Sequence, residues 1–101
     1  MSYELIPNNG RKSFYGKAVV NEYNGRKVLT SYTTDVAMID NEGTFKRLWS
    51  GYSATTMNHV NAFRAMNGLP TIGKKEWDSL ETYNYNPLVD MVIEYNRKYS
   101  A

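Results

Sequence analysis

The dipeptide Asn24-Gly25 lies between two runs of residues that suit β-strands. A two-residue type I′ turn needs positive φ at both central positions, and Asn-Gly is the strongest short hairpin signal for that reason. The run before it, Ser13 to Tyr23, places Phe14, Gly16, Ala18 and Val20 on one face and Tyr15, Lys17, Val19 and Asn21 on the other. That period of two predicts a half-buried strand. Residues 27–32 return as its partner, 34–40 form a third strand, and 44–49 form a fourth after the turn residues Asp40 to Gly43. The expectation is a four-stranded antiparallel meander over about residues 13–49. Its weakest join is Thr33-Thr34, where one long bent strand is the alternative.

Beyond Trp49 the period changes. Ser53 suits an N-cap, because its hydroxyl can accept from free N–H groups of a first helical turn. Residues 54–67 then have helical spacing, and Gly68 followed by Leu69-Pro70 is a strong stop. A short second helix follows from Gly73, with Trp77 and Leu80 three apart on one face. Asn86-Pro87 resembles a cap with proline at the first helical position, and Glu94 and Lys98 stand in the favourable i, i+4 order. Val89, Met91, Ile93 and Tyr95 alternate, so a strand is the competing reading of 87–99. The 101 residues suit one domain, since two would each bury too little. Residues 1–12, with Pro7 and Asn8-Asn9-Gly10, read as an arm or loop. The predicted class is α+β, with two or three helices packed on one face of the sheet.

The single histidine, His59, falls between Met66 and Phe63 on the apolar stripe of the first helix, with Thr56 and Val60 alongside. Asn58, Asn61, Arg64 and Ala65 take the opposite side. An imidazole in such a stripe is expected to pack as a hydrogen-bonded small aromatic. His59, Phe63 and Trp77 are accordingly assigned to structure. Catalysis would need a nucleophile and an orienting carboxylate, and no spacing links His59 to Ser53, Thr55 or Asp35. No catalytic, cofactor-binding or metal-binding residue is assigned.

Composition removes further chemistries. The chain has no cysteine, which excludes disulfides, thiolate nucleophiles and iron–sulfur ligation. It also points to an intracellular setting, because small secreted domains usually carry disulfides. One histidine leaves only scattered carboxylates for a metal. No glycine-rich phosphate loop occurs. Glu76, Asp78 and Glu81 read as a solvated face of a short helix. The first residues lack a basic-then-apolar leader pattern, and no apolar run nears the ~20 residues of a membrane span. A cytoplasmic protein without membrane contact is expected.

Surfaces are the remaining place for function. Residues 1–75 carry ten Lys/Arg against five Asp/Glu, whereas 76–101 carry two against five. The basic doublets are dispersed, which is weaker evidence for nucleic acid than one dense run. The two helices joined by a Gly-Pro turn could form a helix-turn-helix, but Trp77 and Leu80 tie the second to the core and it is too short to read bases. Nine tyrosines serve either the rim of a small core or a recognition face. A sheet with helices on one side offers its other side to solvent, a partner or a second copy. Tyr15, Lys17, Tyr32, Lys46 and Arg47 are the candidate binding residues there, combining stacking with positive charge.

The blocks "SFYGKAVV", "LTSYTTDVAMID", "RLWSGYSATTMNHVNAF" and "KKEWDSL", in that order, cover about two thirds of the chain. This order resembles a family of small uncharacterised proteins encoded by bacteriophages and prophages of Gram-positive bacteria. The resemblance implies a setting and no activity. It leads to the expectation of a non-enzymatic accessory protein that binds and modulates a host or defence protein in the bacterial cytoplasm, including as an inhibitor of an antiviral system. A small nucleic-acid-binding module using the basic, tyrosine-containing sheet face is the alternative. A homodimer is compatible with either.

Overall fold

The computed structural model describes residues 1–8 and 13–84. Among these residues five antiparallel strands form one sheet in chain order: β1 (Ser2–Glu4), β2 (Ala18–Tyr23), β3 (Arg26–Ser31), β4 (Thr34–Ile39) and β5 (Phe45–Arg47). Among the described residues two helices follow, α1 (Ala54–Met66) and α2 (Lys74–Ser79). The α+β class and the meander agree with the sequence reading. The strand count does not, because part of the expected N-terminal arm is a strand. Ser2, Tyr3 and Glu4 pair with Asn21, Val20 and Val19, and Leu5 donates to the Ala18 carbonyl at 2.9 Å and is buried. Three residues are too few for an alternation signal, so only the tertiary pairing reveals β1. The third helix or strand expected over 87–99 lies outside the described residues.

Asn24 (φ 51°) and Gly25 (φ 78°) make the tight turn between Tyr23 and Arg26, as their types require. The Thr33-Thr34 join resolves into a second two-residue turn, Tyr32-Thr33, closed by the Ser31–Thr34 pair. Between Leu29 and Thr30 the β3–β4 register shifts, leaving Val36 as an extra residue. The bulge allows Val36 and Ala37 both to enter the core.

Ala18, Val20, Leu29, Ala37 and Ile39 meet Val60, Phe63, Ile72 and Trp77 in one cluster. The opposite face is not fully open, contrary to expectation, since Val28 and Met38 are also buried. The Ser53 hydroxyl accepts from Thr56 N–H at 3.0 Å and caps α1, while Gly68 at φ +75° follows its end. The buried arc of α1 is wider than the predicted stripe. It includes Met57 and Ala62, whereas Met66 is 45% exposed. The α1–α2 connection explains part of this. Asn61 exchanges two hydrogen bonds with the Ile72 backbone (2.9 and 2.8 Å), and Arg64 Nε donates to the Pro70 carbonyl at 2.7 Å. The polar side of α1 thus holds the loop that brings α2 onto the core. Trp77 is fully buried there, but Leu80 lies beyond the helix and is exposed, which corrects its assignment to the core face.

Candidate functional site

The segment from Phe14 to Lys17 is a turn, not the start of a strand. Lys17 N–H donates to the Phe14 carbonyl at 3.0 Å, and Tyr15 (φ 54°) and Gly16 (φ 73°) both have positive φ. The Asn24-Gly25 turn uses the same φ pair with a residue suited to it. At Tyr15 an aromatic occupies a left-handed conformation that costs an L-residue roughly 1–2 kcal/mol. Tyr32, at φ 57°, repeats the anomaly in the next turn. The two turns are joined, because Tyr32 N–H donates to the Lys17 carbonyl at 2.7 Å.

Neither ring is spent on the core. Tyr15 is 83% exposed and Tyr32 55% exposed. Lys17 is exposed as well, with its ammonium 5.7 Å from the centre of the Tyr32 ring and no carboxylate partner among the described residues. Phe14 is buried edge-on against His59, with ring centres 4.6 Å apart, and Tyr32 lies 5.8 Å from the same imidazole. The buried imidazole therefore backs the exposed Tyr32 ring.

The other two candidate residues do not join this patch. Arg47 is only 6% exposed. Its guanidinium lies 4.7 Å from the Trp77 ring and donates to the carbonyls of Trp49, Ser50, Gly51, Trp77 and Leu80 at 2.7–3.4 Å. This cation organises the chain around α2, which overturns its assignment to a binding face. The residue before it, Lys46, points to the other face of β5, 3.4 Å from the Asp40 carboxylate and 4.2 Å above Tyr83. Burial raises the Asp40 pKa, but N–H donation from Thr44 and Glu42 and the Lys46 ammonium outweigh it, and the carboxyl falls below its usual value. The basic and aromatic residues thus do not form one continuous stripe.

His59 is almost wholly buried. Its Nδ1 lies 2.8 Å from Ser31 Oγ, which is 3.0 Å from Thr56 Oγ1. The hydroxyl against the ring is one that sequence spacing did not suggest, because Ser31 and His59 are 28 positions apart. The pair is enclosed between β3 and α1, with Ser31 2% and His59 1% exposed. Within those residues no group of three or more His, Cys, Asp or Glu side chains suits a metal, and no helix is long and apolar enough to cross a membrane.

Sequence reasoning missed Tyr15 and Tyr32 as turn residues. The available signal was Gly16 after Tyr15, which has the same X-Gly form as Asn24-Gly25. In comparisons with known proteins, the model of a family described as "Family of unknown function (DUF8033)" matches residues 1–79. No curated protein and no solved structure matches the chain.

Proposed function

We propose a function for a chain that belongs to the family of unknown function DUF8033: it is a non-enzymatic binding protein that recognises a partner protein through Tyr15, Lys17 and Tyr32. The observation that carries this reading is that two large aromatic rings are held in solvent by turns whose backbone conformation disfavours them. Local strain is kept where something other than stability benefits from it. Tyrosine serves recognition because it offers a large rigid surface with few rotors to freeze. The hydrogen bond from Tyr32 to Lys17 and the Phe14–His59 packing pre-organise the patch, which lowers the entropic cost of docking.

The block order described above supports a phage setting, in which the partner is a host or defence protein of the bacterial cytoplasm and binding modulates or inhibits it. The nucleic-acid reading lost support when Arg47 proved buried and Lys46 paired.

The test is affinity capture from a bacterial lysate with the wild type and with Tyr15→Ala and Lys17→Ser. One protein captured at moderate salt, and lost from both variants, is the expected result. Equal capture by all three proteins would refute the assignment of the patch. Retention of DNA or RNA that collapses steeply with salt would favour the nucleic-acid alternative.

A further inference from the structure

The two edges of the sheet differ. Along β5, Thr82 makes a parallel bridge to Arg47 and Tyr83 N–H donates to the Arg47 carbonyl at 2.6 Å. At the opposite edge, β1 pairs only with β2 among the described residues. Met1 exchanges hydrogen bonds with Glu22 and Leu5 donates to Ala18, so the odd-numbered residues turn their backbone groups toward β2. By the alternation of an antiparallel ladder, the N–H and C=O groups of Ser2 and Glu4 face outward.

A groove of about 400 Å³ adjoins this edge, between β1 and the second half of α1. Its walls include Tyr3, Ile6, Ala62, Ala65 and Met66. Ile6 is 79% exposed, far more than a monomer needs of an isoleucine beside its own core. Ala62 and Ala65 are small, and that leaves depth between helix and strand.

We infer that this edge and groove receive an extended peptide from a partner protein, added to β1 as a sixth strand. Strand addition obtains affinity from main-chain hydrogen bonds and specificity from alternate side chains. The residue across from Tyr3 points to the helix side and enters the groove, so it is apolar. The residue across from Glu4 points to the other face, beside an exposed carboxylate, so it is Lys or Arg. Glu4 and Pro7 keep the edge short, which permits one brief strand and discourages open-ended sheet growth. The site does not depend on Tyr15 or Tyr32.

The probe is a random octapeptide display library selected on the full chain, followed by a synthetic copy of the enriched sequence. Enrichment of an apolar–Lys/Arg–apolar pattern is expected. Ala65→Arg, at an exposed helix position, weakens the synthetic peptide at least tenfold while circular dichroism stays unchanged, and Tyr15→Ala does not affect it. N-methylation of the peptide amides that face Ser2 and Glu4 also costs at least tenfold. The inference is overturned by a selection without enrichment, by binding indifferent to Ala65→Arg or to N-methylation, or by sedimentation showing this edge occupied by a second copy of the chain.

Discussion

The Ser31 hydroxyl and the His59 Nδ1 lie 2.8 Å apart in a space that solvent barely reaches, and the Thr56 hydroxyl lies 3.0 Å from the same serine. A serine against a histidine is the beginning of a nucleophilic site, yet a working site also needs substrate access. Here the pair satisfies polar groups where β3 packs on α1. Ser31→Ala removes one hydrogen bond from the imidazole and one from the Thr56 hydroxyl in a buried setting, and is expected to cost about 1–3 kcal/mol in urea unfolding. A fluorophosphonate probe is expected to leave Ser31 unlabelled. Labelling, or a His59→Gln variant of unchanged stability and abolished function, would contradict a packing role.

Arg47 behaves as a core residue despite its charge. Arg47→Met keeps much of the volume but leaves several carbonyls near α2 without donors, and is expected to destabilise by about 3 kcal/mol or more. Arg47→Lys keeps the charge without the planar fork and should recover only part of that loss. Thermal unfolding of both variants checks the order.

Gly51 accepts from Trp77 Nε1 at 2.8 Å, and a Cβ on Gly51 would collide with the Trp49 indole. Gly51→Ala therefore forces the Trp49 ring to move, at about 1–3 kcal/mol in chemical denaturation. Both tryptophans lie near this glycine, so a shifted tryptophan emission spectrum should accompany the loss.

Tyr15→Asn substitutes a residue that tolerates φ 54°. The variant is expected to gain about 1 kcal/mol of stability, through relief of the left-handed cost, and to lose partner binding. Differential scanning calorimetry and the capture assay test the two halves separately. A destabilised variant would show that the exposed ring holds the turn together.

The Tyr3 hydroxyl is pushed up to about 12 by burial, with help from a hydrogen bond to Glu22 and its negative charge. A raised acid favours the neutral native form. Its contribution is therefore complete below the unfolded value near 10 and is lost as pH rises from about 10 through about 12. Tyr3→Phe should flatten that part of the stability profile, read as Tm against pH.

Sequence reading succeeded where one local rule decides the conformation. Asn24-Gly25, the Ser53 cap and the Gly68 stop each act within a few residues, and each stands in the structure as its chemistry requires. It erred at Tyr15, where alternation suggested strand but a turn won. It also erred at Arg47, where charge suggested surface. The Ser31–His59 pair left no trace in spacing, because a hairpin, β4, β5 and half of α1 intervene.

The sequence by itself determined the antiparallel meander, the change to helices after Trp49 and the absence of cysteine chemistry, since periodicity, capping and composition operate locally. Only the tertiary structure decided that Leu5 and β1 join the sheet, that Arg47 turns inward to a ring of carbonyls, and that Tyr15 and Tyr32 are exposed on two hydrogen-bonded turns. Those outcomes depend on which distant backbone groups need partners, and that need arises only once the strands and helices have met.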